Sequence, residues 1–303
     1  MATMAQPVET SRTRHRPAAR SGGGGGSEDR VKSILYWLSA FLTLVVFLVP
    51  LLWFVMRSLQ PGTVIAAPPD PSTFFDLSFD NFRGLRAQGD MFRAVGNSLI
   101  VALGTALLTT VLATMAGYGF GRFKFRGSGI LFGLILLTLM IPFQAILTPL
   151  FIQLNEMRLT DSLLGLVLFY STVNLAFGTF VMRTAFMSVP DGLEEAARLD
   201  GSGTIGTFFH VLFPLVMPGM ATTALFAFLA AWTEFLGALV FITRQDLFTL
   251  PVALVNLQQG TYGQLDFGLL AAGSVTAMIP CVILFIALQR YYVAGLTAGS
   301  LKG

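Results

Sequence analysis

The fold class expected from the sequence is an all-α membrane protein of six transmembrane helices, and three observations support it. Hydrophobic residues make up 54% of the 303-residue chain and charged ones only 12%, against roughly a quarter charged in ordinary soluble domains. Six segments are each long enough to cross a hydrocarbon core, which takes about 20 apolar residues. Lysine and arginine also concentrate in alternate loops, as they do in helical membrane proteins of fixed orientation.

Taken in order, residues 1–32 carry Arg12, Arg14, Arg16, Arg20, Arg30 and Lys32 around the run Gly22 to Gly26, with almost nothing apolar. They read as a disordered basic tail. The first apolar segment, Ser33 to Met56, is too long for a signal peptide and runs into Trp53, Arg57 and Pro61. It is therefore read as a retained span within residues 33–59. A Pro-rich outer loop, 60–93, follows with Phe74, Phe75, Phe79, Phe82 and Phe92 among Asp and Arg, which suits a segment lying along the membrane interface.

Residues 94–292 form the core of the expected fold. The second span, Ala94 to Phe120, ends in the tyrosine-and-basic stretch Ala116 to Gly127, and the third, Gly129 to Leu150, contains Pro142, Gln144 and Pro149. Proline in a span is tolerated where a cavity or neighbouring helix satisfies the freed carbonyl, so a pore-facing kink is expected at Pro142. Gln144, and Asn174 in the fourth span (Leu163 to Phe186), either line a pathway or bond between helices.

Between the fourth and fifth spans lies the most informative loop, residues 190–218. Glu194, Glu195, Arg198 and Asp200 sit among the helix formers Leu193, Ala196, Ala197 and Leu199, and Gly201 follows as a stop. Ser202 or Thr204 then caps a second helix, in which Ile205, Phe208, Phe209 and Leu212 recur at helical spacing as far as Pro214. Helix, sharp turn, helix is the expected form. Glu195-Ala196-Ala197, Gly201, and then Val211, Phe213 and Pro214 closely resemble the EAA loop of permease subunits of ABC importers. Val211 and Phe213 replace the usual Ile and Leu, apolar for apolar. Asp200-Gly201 and Pro218 fall where the sugar-importer branch has them.

The resemblance covers about residues 33–303 and implies the type I ABC importer permease fold, with this loop as a cytoplasmic coupling helix docked in a groove of a separate ATPase. Glu194, Glu195, Ala196, Ala197, Asp200, Gly201 and Pro214 would be the coupling residues. The fifth span, Leu215 to Ile242, holds Glu234; a carboxylate at that depth faces the bundle interior, a partner helix or water. Its stretch is similar to a Trp-Asn-Glu-Phe segment of the sugar importers, with Thr233 in place of Asn. Glu234 is a candidate for the translocation path, a structural carboxylate being the alternative. The outer loop that follows offers Asn256, Gln258, Gln259 and Tyr262, an uncharged polar set with an aromatic face. In maltose-type permeases this loop reaches toward the binding protein's substrate cleft. The last span, Phe267 to Tyr292, is followed by a C-terminal tail, 293–303, whose Ala294 to Gly303 is similar to the tail of the same branch.

Other functions are disfavoured by what the sequence lacks. Cys281 is the single cysteine, and His15 and His210 have no ligand-spaced neighbours, so no metal site is expected. Gly201 to Thr207 imitates a phosphate-binding loop but lacks its lysine. A membrane enzyme would need a nucleophile with its base or paired carboxylates, and a secondary transporter would be expected to show repeats and ion-binding acids. No catalytic residue is assigned. The resemblance implies a transport subunit holding no cofactor, with ATP and Mg on an ATPase dimer. It also implies a second, homologous permease, an extracytoplasmic sugar-binding protein and no nucleic acid. An even number of spans and the basic residues at Arg122, Lys124, Arg126, Arg183, Arg198, Arg290 and Lys302 place both termini in the cytoplasm.

Overall fold

The computed structural model describes residues 25–60, 76–87, 91–258 and 266–300. It divides into two compact units, residues 1–51 and 52–303. Helix α1 (Gly25–Leu59) begins in the first unit; past its charged first turns, with Glu28, Asp29, Arg30 and Lys32, it is apolar on every side, with Leu38, Phe41, Val46 and Phe47 all exposed. A helix with no polar face belongs in lipid. It starts earlier than the expected boundary at Ser33, because nothing between Gly25 and Lys32 breaks a helix.

The second unit contains α2 (Asp80–Ala87), α3 (Met91–Arg122), α4 (Ser128–Leu137), α5 (Phe143–Glu156), α6 (Leu163–Met187), α7 (Asp191–Leu199), α8 (Thr204–Thr207), α9 (Phe213–Thr233), α10 (Leu236–Phe241), α11 (Leu250–Gln258) and α12 (Phe267–Ser300). Its centre is the packing of α3, α6 and α9. Small residues allow this, since helices in lipid associate mainly by close approach. A Cβ on Gly117 would lie 2.5 Å from Met182 Cβ, and one on Gly178 would lie 2.9 Å from Ala113 Cβ and 3.0 Å from a Thr223 methyl. Around this contact α3 buries Val101, Ala102, Thr105, Ala106, Thr109 and Ala113, while Ile100, Leu103, Leu107, Val111 and Met115 form an exposed apolar stripe.

Among the described residues, five helical stretches are long and apolar enough to span a membrane. The expected third span is the exception. Ser128–Met140 and Phe143–Glu156 meet at 99°, and the pair makes the sixth span only if both arms are counted as one. The proline anticipated as a kink thus produces a break: Pro142 lacks an N–H and drives Ile141 out of the helical region, to ψ 116. The fifth span is also interrupted, since α9 ends at Thr233 and α10 starts at Leu236, with Glu234 extended between them (ψ 130). At the C-terminus α12 runs on to Ser300, past the expected end at Tyr292.

Part of the outer loop is described, and it is anchored to the end of α1. Asn81 of α2 is buried and donates to the carbonyls of Ser58 (3.0 Å) and Gln60 (2.7 Å). Phe79 is exposed and Phe82 packs against the core. Phe74 and Phe75 lie outside the described residues, as do the first 24.

Candidate functional site

The loop between the fourth and fifth spans folds as its residues suggest. Helix α7 starts after the extended Pro190 and keeps Asp191 and Glu194 in its first turn, where the helix dipole favours acids, and Arg198 in its last. Its end is closed by two bonds, from the Gly201 N–H to the Arg198 carbonyl (3.0 Å) and from the Ser202 N–H to the Ala197 carbonyl (2.9 Å). This is a Schellman closure, which needs a left-handed residue just past the helix. Gly201 supplies it at φ +84. Glu195, Ala196 and Asp200 are exposed and Ala197 is half-buried.

The second helix of the loop does not stop at Pro214. Residues Phe208–Leu212 form a π turn, in which the Phe213 N–H donates to the Phe208 carbonyl, and helix continues from Thr204 to Thr233. A widened turn directly before a proline accommodates the ring and the missing donor. Pro214 therefore sits exposed at the start of α9.

Arg122, the last residue of α3, holds this loop to the bundle. Its side chain is 6% exposed; Nε donates to Glu194 Oε1 at 2.5 Å, and Nη1 donates to Asp191 Oδ1 (2.8 Å) and the Val189 carbonyl (3.0 Å). The Glu194 side chain is 15% exposed, so this pair is shielded, whereas Asp191 is open to solvent. Arg122 Nη2 is buried without a partner among the described residues. In the sequence this arginine is indistinguishable from the flanking positive charge that sets orientation. Beneath the loop, Tyr118 touches Phe123 (5.2 Å between ring centroids), Phe186 (5.3 Å) and Phe208 (5.1 Å). The loop also exposes apolar side chains, above all Leu199 (89% exposed) and Ile205 (76%).

Glu234 has four partners within the chain. Its carboxylate accepts the N–H groups of Leu236 (2.8 Å), Gly237 (2.9 Å) and Ala238 (3.4 Å), which are the free amides of α10, and the buried Tyr170 hydroxyl at 2.5 Å. The carboxylate satisfies the backbone amides freed at a break within a span. Replacing it by alanine removes a cap and orphans the tyrosine, so Glu234→Ala is expected to destabilise the chain by about 2 to 3 kcal/mol. Thermal unfolding in detergent measures this; a parental melting temperature would leave the carboxylate without a structural role.

The other candidates are scattered. Asn174 is half-buried and donates to the Tyr170 carbonyl of its own helix (2.8 Å), and Gln144 is exposed in the first turn of α5. Behind the 99° bend is a cavity of 480 Å³, lined by Thr138, Phe143, Gln153, Phe169 and Thr172 among others, and neither candidate borders it. Asn256 is exposed near the end of α11, Gln258 closes that helix, and Gln259 and Tyr262 lie outside the described residues. Asn97 of α3 positions α11 by donating to the Asp246 and Phe248 carbonyls, both at 3.0 Å, while the Leu250 N–H donates to Ser98 Oγ at 2.8 Å. Nearby, Asp161 accepts the Thr243 hydroxyl (2.7 Å) and the Thr243 and Arg244 amides (2.6 and 3.0 Å). These bonds, the hydroxyl foremost, hold its carboxyl below the usual range.

Apolar helices, a break in two of the spans and an exposed helical loop pinned by a buried arginine define a multi-pass membrane protein. Residues 110–297 match the family described as binding-protein-dependent transport system inner membrane component, and the chain belongs to that family. It is 37% identical over 272 residues to the trehalose transport system permease protein SugB of Mycobacterium tuberculosis, covering 88% of this chain and 97% of that one. It is 34% identical to the arabinooligosaccharides transport system permease protein AraQ of Halalkalibacterium halodurans, covering 90% and 99%. A bacterial ABC transporter involved in alginate import has a chain of the same fold, with TM-score 0.73 at 20% identity over 88% of this chain and 98% of that one. The relatives are named as transport permeases and not as enzymes, so the chain is an inner-membrane permease subunit.

Proposed function

We propose that this chain forms half of the translocation pathway for a sugar or oligosaccharide, delivered by an extracytoplasmic binding protein and driven by ATP hydrolysis on a separate ATPase dimer. The observation that carries the reading is the α7 loop: a short helix clamped by Arg122, closed by Gly201, and presenting Leu199 and Ile205 to solvent. Such a surface suits a partner that covers it. ATP and Mg bind that partner, and a second, homologous permease completes the pathway. The carbohydrate class is supported by relatives named for trehalose and arabinooligosaccharides, and by a structural neighbour crystallised with a periplasmic protein carrying an alginate pentasaccharide, TM-score 0.64.

Co-purification in mild detergent tests the assembly. A nucleotide-binding ATPase should be recovered with the chain, and proteoliposomes of the complex should import sugar only with ATP and the binding protein; recovery without an ATPase would refute the proposal. Both termini lie in the cytoplasm in this reading. In a Cys281→Ser background, cysteines at Gly127 and Gln259 should then label from the cytoplasmic and outer sides respectively, and labelling from one side would overturn the orientation.

Within the pathway, Glu234 and Asn174 meet at Tyr170, one through its hydroxyl and the other through its carbonyl. We assign these two residues, and Gln144 on a separate helix, to the lining of the path. We assign contact with the binding protein to Asn256, Gln258, Gln259 and Tyr262.

A further inference from the structure

The membrane end that carries the α7 loop has a second polar feature, which the coupling reading does not use. Between the end of α3, the start of α4 and the end of α6 lies an open cleft of 520 Å³ bordered by Phe120, Phe123, Lys124, Phe125, Arg126 and Arg183, with others. That volume falls within the roughly 300–1,000 Å³ typical of small-ligand sites. Three cations share the cleft, and none has an ion-pair partner among the described residues. Arg122, next in sequence, differs in being neutralised by Glu194 and Asp191.

Arg183 is held in place for binding. Its guanidinium lies over the Phe132 ring, 4.3 Å from the centroid, and its Nε donates to the Phe120 carbonyl at 3.3 Å. Its two amino groups have no hydrogen-bond partner among the described residues and are not buried. Stacking and one anchored nitrogen fix the plane of the fork, so little side-chain freedom is lost when the remaining donors engage an anion. Phe120 in turn contacts Phe125 (5.8 Å) and Phe132 (5.7 Å), while Phe123 and Phe125 are 53% and 42% exposed beside the cations. Exposed aromatic rings alternating with Lys124 and Arg126 at the end of three membrane helices are suited to the headgroup layer, rings toward the acyl chains and charges toward phosphate.

We propose that this cleft binds the phosphate headgroup of an anionic phospholipid from the leaflet on the coupling-loop side, with Arg183 as the oriented donor and Lys124 and Arg126 closing over the phosphate. Basic clefts between membrane helices hold such headgroups through charge, and interfacial rings hold the glycerol end. The site depends only on the chain crossing a membrane, not on the transported substrate. Its consequence is a lipid seated beside the base of α7, at the α3 end from which Arg122 reaches that helix.

The test is a native mass spectrometry titration of the full chain in detergent with short-chain phosphatidylglycerol, phosphatidylcholine or inorganic phosphate. Phosphatidylglycerol should bind at least tenfold more tightly than phosphatidylcholine, weaken as salt is raised, and resist displacement by inorganic phosphate. Lys124→Gln with Arg126→Gln, both exposed and so harmless to folding, should weaken it about thirtyfold, from roughly fivefold for each interfacial charge. Arg183→Gln should weaken it further, whereas Arg86→Gln, on α2, should not. Equal affinity for the two lipids, or unchanged phosphatidylglycerol binding in the double variant, would overturn the proposal. Effective competition by inorganic phosphate would reassign the cleft to a free anion, and exclusion of the lipid by an assembled ATPase would reassign it to the protein interface; either overturns the lipid site.

Discussion

Gly201→Val is expected to reduce sugar uptake by tenfold or more while the membrane helices still insert. A Cβ at this position would meet nothing within 4 Å, so crowding is not the cause. The cause is backbone conformation. At φ +84 an L-residue is strained by roughly 1–2 kcal/mol, and a β-branched one by more. The Schellman bonds from Gly201 and Ser202 then give way, and α7 leaves its turn in another direction. Asparagine tolerates the left-handed region, so Gly201→Asn should retain most of the uptake. Reconstituted transport and ATPase stimulated by the loaded binding protein measure both variants. Parental uptake by Gly201→Val would mean that the loop only connects two spans.

Arg122→Ala should have the larger effect on stability. It leaves Glu194, 15% exposed, without its counter-charge, and removing one member of a shielded pair typically costs about 3–5 kcal/mol. Because Glu194 keeps some contact with water and with Arg198 at 3.8 Å, the lower half of that range is expected; solvent-exposed Asp191 adds little. The loss should appear as a lower melting temperature and as weaker stimulation of ATPase. Removing the orphaned acid in Arg122→Ala/Glu194→Ala should restore part of the stability but not the stimulation, because the clamp is still missing. If the double variant were as unstable as the sum of the two single ones, the pair would not be coupled.

The parts of this site visible in the sequence are those made by neighbours along the chain. Gly201 follows a short run of helix formers, and both the stop and the sharp turn come from local backbone preferences. Arg122 lies 72 residues from Glu194, and nothing in the local sequence separates a clamping arginine from one that orients a span. Glu234 shows the same limit. Its depth is legible, but its partners are amides freed by a helix break and a hydroxyl 64 residues away. A weak signal was present, since an acid two residues ahead of Leu236-Gly237-Ala238 is the type of side chain that caps a helix start. At Pro142 the interruption was legible from proline chemistry; the 99° angle depends on how the two arms pack and could not be read.

The uninterrupted helix from Thr204 to Thr233 has a mechanical consequence. Its 30 residues make a rod about 45 Å long at 1.5 Å per residue. One end lies beside Gly201, and the other stops at the Glu234 turn. A tilt of about 10° about the first end, over that length, sweeps the second through roughly 8 Å. The helix runs on through the π turn at Phe208–Leu212 and past Pro214 and Pro218, so a small angular input at the water-exposed loop would arrive as a long stroke at the broken span, as in a lever.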